Sequence, residues 1–88
     1  MKVDFKKSFT RDLKKIRDKD LLQQVKEAIE EVERALNLQT VSNLKQLKGG
    51  GSYYRIKIGD YRIGLMMEDD TVIFVRFLHR KEIYRYFP

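Results

Sequence analysis

Three cations stand close together on one alternating stretch: Arg55 and Lys57 before a Gly59-Asp60 turn, and Arg62 just after it. If Tyr53–Ile58 and Tyr61–Met67 form a hairpin with a two-residue turn, Ile58 pairs with Tyr61. Lys57 then stands opposite Arg62, Ile56 opposite Ile63 and Arg55 opposite Gly64. Alternation sends Tyr54, Ile56, Ile58, Ile63, Leu65 and Met67 to a core. It puts Arg55, Lys57 and Arg62 on the other face, beside the gap left by Gly64. Like charges directly across strands are destabilising, so the face is either well solvated or built for an anion. A third strand, Thr71–His79, is expected to add Arg76 to this face. That needs an odd loop or bulge at Glu68–Asp70 and turns Ile73, Val75 and Phe77 inward. Arg80 follows on the same side, with Tyr84, Arg85 and Tyr86 in the tail after it. Cations for phosphate and aromatic rings for base stacking are the two parts of single-stranded nucleic-acid recognition. Ordinary solvent-facing sheets also carry Lys and Arg, but no acid stands among these strand positions while acids are common elsewhere.

The elements that must hold this face are legible from periodicity. Phe5, Phe9, Leu13 and Ile16 form one helical stripe, with Ser8 or Asp4 as candidate caps. Leu21/Leu22, Val25, Ala28/Ile29, Val32 and Leu36 form a second, so an antiparallel helical hairpin is expected. Residues 1–19 carry eight Lys or Arg against three Asp, whereas residues 20–39 carry two against five acids. Attraction between the two helices accounts for the second; the first has basic residues to spare. A short strand at Lys2–Phe5 is a possible added edge. Residues 40–52 read as a connecting segment in which Leu44 and Leu47 touch the core. Its Gly49-Gly50-Gly51 run lacks the following Gly-Lys-Ser/Thr and strand-to-helix turn of a phosphate loop, so a flexible connector is expected. Arg80–Phe87 is expected to form a helical turn, stopped by Pro88. The fold class expected is α+β: a helical hairpin on one face of an antiparallel sheet.

Composition narrows the chemistry. The 88 residues suit one domain, 1–88, with one modest core. No Cys is present, which excludes disulfides, a thiolate nucleophile, iron–sulfur clusters and Cys-based zinc sites. The single His79 excludes a His-rich metal site, and no nucleophile elbow accompanies it. No apolar run reaches the roughly 18 residues of a membrane span, and the N-terminus lacks a secretory signal, so a cytoplasmic location is expected. The net charge of +6 favours a polyanion as partner.

Two segments carry a resemblance. Tyr54-Arg55-Ile56-Lys57-Ile58-Gly59-Asp60-Tyr61-Arg62-Ile63-Gly64 resembles the central hairpin of the RelE/ParE toxin superfamily. His79-Arg80-Lys81-Glu82-Ile83-Tyr84 resembles its C-terminal signature. With the helical hairpin before the sheet, the resemblance covers essentially the whole chain. It implies a toxin of a type II toxin–antitoxin pair, with a cognate antitoxin as partner. Members of the RelE branch cut messenger RNA in the ribosomal A site without a metal or other cofactor. ParE members share the fold, inhibit DNA gyrase and generally lack the catalytic residues. The RelE pattern falls on Arg55 and Lys57 in the first strand, Arg62 in the second, Arg80 after the last strand and Tyr84 near the C-terminus. Arg55 stands where a lysine is often found, and the Arg80–Tyr84 spacing is shorter than in some members.

For that chemistry the RNA 2′-OH attacks its own phosphate, giving a 2′,3′-cyclic phosphate and a 5′-OH. Lys57 is the expected base, its amine made more acidic by Arg55 and Arg62. Arg62 and Arg80 are expected to stabilise charge, since arginine stays protonated. Tyr84 would stack on a base, orient the phosphate, or act as an acid if its phenol is perturbed. Arg55 and Arg76 would hold RNA backbone. Histidine is the side-chain type suited to proton transfer near neutrality; if Arg80 faces the site, alternation turns His79 away to packing or tail anchoring, with RNA contact and acid–base catalysis as alternatives. A ParE-like gyrase inhibitor and a non-catalytic RNA-binding module are the competing readings.

Overall fold

A computed structural model describes residues 1–48 and 51–88. The chain runs β1 (Lys2–Phe5), α1 (Lys7–Lys14), α2 (Lys19–Arg34), a 3-10 turn (Leu38–Thr40), β2 (Leu44–Gln46), β3 (Tyr53–Ile58), β4 (Tyr61–Glu68), β5 (Thr71–His79) and α3 (Arg80–Tyr86). The strands form one sheet in the order β1-β5-β4-β3-β2. The β3–β4 and β4–β5 pairings are antiparallel, as expected, and so is β2–β3, but β1 lies parallel to β5 from Lys2↔Thr71 to Phe5↔Phe74. The sheet is therefore mixed, within an α+β architecture.

The β3–β4 register is the expected one, with Lys57↔Arg62 and Arg55↔Gly64 paired. Gly59 turns the hairpin at φ 56°, a left-handed conformation that a side chain would strain. The hairpin thereby places Ile56, Ile58, Ile63 and Leu65 inward, where they meet Phe9, Val25, Val32, Leu38 and Val41. Tyr54 and Met67 pack at the margin of this core.

Several local expectations are corrected. The stripe from Phe5 to Ile16 is split: Phe5 belongs to β1, although it stacks on Phe9 and Phe74 with centroids 5.9 and 5.3 Å away. Neither candidate cap serves α1. Ser8 donates its hydroxyl to the Val75 carbonyl at 2.6 Å, and Asp4 accepts from the Phe5 amide at 2.8 Å. Asp18 caps α2 instead, accepting from the amides of Asp20 and Leu21. Helix α2 stops at Arg34, so Leu36 is 94% exposed and Leu38 is the buried residue. The segment expected as a plain connector contains β2, which pairs Leu44↔Ile56 and Gln46↔Tyr54. The connector read at Gly49-Gly50-Gly51 lies outside the described residues at Gly49 and Gly50; Gly51 adopts φ 83°.

The bulge also sits elsewhere. The β4–β5 turn is a two-residue Asp69-Asp70 turn, and the register instead slips between Gly64 and Leu65, which pair with Arg76 and Phe74. Val75 is the extra residue. Phe74 and Phe77 then both enter the core beneath the helical hairpin, as does Val72, whereas Ile73 is buried outside that cluster and Val75 is only half-buried. Among the described residues no helix is long and apolar enough to cross a membrane.

Candidate functional site

Alternation leaves Arg55, Gly64 and Arg76 side by side on β3, β4 and β5, on the face turned away from the helical hairpin. Helix α3 lies across this row. The Arg55 guanidinium carbon is 4.5 Å from the Tyr84 ring centroid, and that of Arg76 is 5.7 Å from the Tyr86 ring centroid. Between the two arginines, an added Cβ at Gly64 would stand 2.7 Å from the Phe87 ring. The gap at Gly64 is thus the seat of Phe87. Helices consequently cover both faces of the sheet, one more than expected.

A cleft of about 350 Å³ opens beside Tyr84, lined by Asn43, Leu44, Lys45, Arg55, Lys57, Arg62 and Tyr84. Arg55, Lys57, Arg62 and Tyr84 are brought together here as the sequence suggested. Lys45 was missed, because β2 was not recognised as the neighbouring strand; a Leu-Lys-Gln triplet gives little period-two signal. The edge is tied down through Asn43, whose carbonyl accepts the Lys57 amide at 3.1 Å while its φ is 61°. Asparagine tolerates that conformation better than most side chains. Lys57 also borders a second hollow, between α2 and β3, into which Glu27 and Glu31 face.

The cations of the cleft differ in freedom. Arg62 donates Nη1 to the carbonyls of Gly59 and Tyr61 at 2.9 and 2.8 Å, so part of its guanidinium buttresses the hairpin turn. Tyr84 is 70% exposed. Hydrogen bonding to Arg55 pulls its phenol below the ordinary tyrosine value, aided by the charges of Arg55, Arg62 and Lys45 and opposed by desolvation. A perturbed phenol amid cations is suited to giving up a proton.

Three expected site residues lie outside the cleft. Arg80 does not extend β5; it opens α3, its amide donating to the Asp60 carbonyl at 2.7 Å and its Nε lying 3.9 Å from Asp60 Oδ1. Arg76 is engaged by Asp12 and is not free on the cationic face: Nε–Oδ2 is 2.8 Å and Nη2–Oδ1 is 3.1 Å. His79 turns away from the cleft, as alternation suggested, and caps α3 by accepting the Lys81 amide at Nδ1, 3.2 Å away. Its ring packs edge-on against Tyr61. Asp12, 3% exposed, is the buried partner of Arg76 that sequence reading passed over. Its signal was available: a lone carboxylate beside Leu13 on the core-facing stripe of α1, with Arg76 alone among the apolar residues of β5.

Comparison with known proteins bears on the whole chain. Residues 3–84 match the family described as "ParE toxin of type II toxin-antitoxin system, parDE". The chain is 45% identical to Toxin RelE3 of Methanocaldococcus jannaschii, over 100% of both proteins. Among solved structures, it resembles a chain of the RelB-RelE antitoxin-toxin complex from Methanococcus jannaschii with a TM-score of 0.82 and 42% identity, covering 97% of this chain and 99% of that one. An archaeal RelE-RelB complex from Pyrococcus horikoshii OT3 shares the fold, with a TM-score of 0.73 and 20% identity over 90% and 93% of the two chains. With a family match over nearly its full length and a RelE relative of equal extent, this chain belongs to the ParE toxin family and is a RelE-like toxin of the type II toxin–antitoxin kind.

Proposed function

We propose that the Tyr84 cleft is the active site of an endoribonuclease that cuts messenger RNA on the ribosome. The observation that carries this reading is the convergence of Lys57 with Tyr84, whose phenol is lowered by Arg55, in one cation-lined cleft. In the reaction, the 2′-oxygen bonds to the adjacent phosphorus as its proton passes to the Lys57 amine. The phosphorus–O5′ bond breaks, O5′ takes a proton from Tyr84, and the products are a 2′,3′-cyclic phosphate and a 5′-OH. Arg55, Arg62 and Lys45 offset the charge that builds on the phosphoryl oxygens. The Arg80 guanidinium joins them by leaving the Asp60 carboxylate, with which it makes an exposed ion pair at 3.9 Å. Every group named is a side chain of this protein, and no step draws on a metal.

An antitoxin encoded alongside is the proposed partner, as the RelB-RelE complexes found for the similar chains suggest. Expression of the toxin with mapping of messenger RNA 5′ ends, alongside measurement of DNA supercoiling, tests the reading. New 5′-OH ends with unchanged supercoiling are expected. Altered supercoiling without new ends would replace it with gyrase inhibition, and RNA binding without new ends with a non-catalytic module.

A further inference from the structure

We infer that Phe87 is a positioning residue for Tyr84: its ring, seated on the Gly64 backbone, fixes α3 across the sheet and so sets the phenol over Arg55. The consequence for cleavage rests on the ribonuclease reading; the geometry does not.

Helix α3 has seven residues, and helices shorter than about 12 residues are marginal in water on their own. Its place must therefore come from packing. Ile83 is fully buried and Phe87 is 4% exposed; four residues apart, they share one face, and the Phe87 amide donates to the Ile83 carbonyl at 2.9 Å. The Phe87 ring fills the space that any side chain at position 64 would occupy, with Cγ and Cδ2 both 2.7 Å from an added Cβ. Tyr53 meets the same ring edge-on at 5.7 Å. Tyr84, by contrast, is exposed and touches the sheet through Arg55. The phenol rides on a helix whose anchors are elsewhere, and the one that adjoins Arg55 across the sheet is the Gly64–Phe87 seat.

The seat can be emptied from either side. Phe87→Ala removes the ring; Gly64→Ala keeps it and expels it. The readout is the titration of the Tyr84 phenol by carbon-13 NMR of labelled tyrosine, assigned through Tyr84→Phe. The expected result is a return toward the ordinary value of about 10 in both variants, with Phe87→Leu intermediate and still folded. Cleavage should lose kcat approaching the loss in Tyr84→Phe, with KM changed less than twofold because the sheet cations stay in place. Gly64→Ala should add nothing to Phe87→Ala, since the new methyl then meets empty space. A Tyr84 titration unmoved by Phe87→Leu and Gly64→Ala, or additive effects in the double variant, overturns the assignment. If the wild-type protein cuts no RNA, the ribonuclease reading fails while the titration still decides the role of Phe87.

Discussion

Arg76 and Asp12 close a two-point clamp between β5 and α1, with Nε–Oδ2 at 2.8 Å and Nη2–Oδ1 at 3.1 Å. The same Oδ2 accepts the Phe77 amide at 2.9 Å, at the bulge where β5 re-enters the core. One carboxylate thus satisfies both a guanidinium and the Phe77 backbone donor. Asp12→Ala should destabilise the fold by about 3 kcal/mol, since it leaves the buried Phe77 amide unsatisfied and removes the charge-assisted hydrogen bonds of the half-buried Arg76. In a domain of this size that lowers Tm by more than about 10 °C. Asp12→Asn should lose less. Calorimetry giving Asp12→Ala a melting temperature within about 2 °C of wild type would reject the clamp.

Alkali should not open it. Hydrogen bonding to Asp12 raises Arg76 above the ordinary arginine value. A raised pKa gives stability that is complete below the unfolded value and is lost only as pH rises through the folded one. The Asp12–Arg76 contribution, measured as a double-mutant coupling, should therefore stay constant from pH 8 to pH 10.

Salt dependence separates cations in the cleft from those engaged elsewhere. Binding of a non-cleavable RNA should weaken linearly on a log–log plot, at roughly 0.7 per single-strand phosphate neutralised. Arg55→Ala and Lys45→Ala should each reduce the slope, whereas Arg76→Ala should lower stability and leave it unchanged. A slope that falls with Arg76→Ala alone would move the RNA off the cleft.

Lys57 is tested by keeping its charge. Lys57→Ala should cost on the order of a hundredfold or more in cleavage while the exposed strand position stays folded. Lys57→Arg preserves the cation but cannot readily accept a proton near neutrality. Collapse of both variants is the expected result. Near-wild-type cleavage by Lys57→Arg would make Lys57 a phosphate clamp and not the base.

Tyr84 should show its lowered phenol in the chemistry and not in the fold. A depressed pKa adds stability only above the unfolded value near 10, and that gain is lost as pH falls through the folded value. Tyr84→Phe should therefore leave stability at pH 7 unchanged while slowing cleavage at least tenfold. Arg55→Met should raise the phenol toward its ordinary value and shift the alkaline limb of the rate profile upward. An alkaline limb identical in Arg55→Met and wild type would remove Tyr84 as the proton donor.

The cationic hairpin was legible in the residues because a two-residue turn and period-two alternation leave one register, and Arg55, Lys57, Arg62 and Gly64 follow from it. The buried stripe of α2 was legible for the same reason, one period setting one face. The C-terminal turn was also visible, down to its stop before Pro88. What local pattern could not specify was anything decided between distant segments. Lys2–Phe5 looks equally good as the start of a helical stripe, and only its parallel pairing with β5, some seventy residues on, selects the strand. The sequence leads one to expect the odd residue needed to turn β5 at Glu68–Asp70; the fold puts it at Val75, two residues before the Phe77 amide that Asp12 of α1 accepts. That single shift draws Arg76 onto Asp12. Strand β2 becomes a strand because β3 offers it an open edge, and Lys45 enters the cleft with it. The empty position at Gly64 was visible in the sequence as a gap. Only tertiary packing shows that Phe87 fills it, because side-chain volume is conserved across a contact and not along the chain.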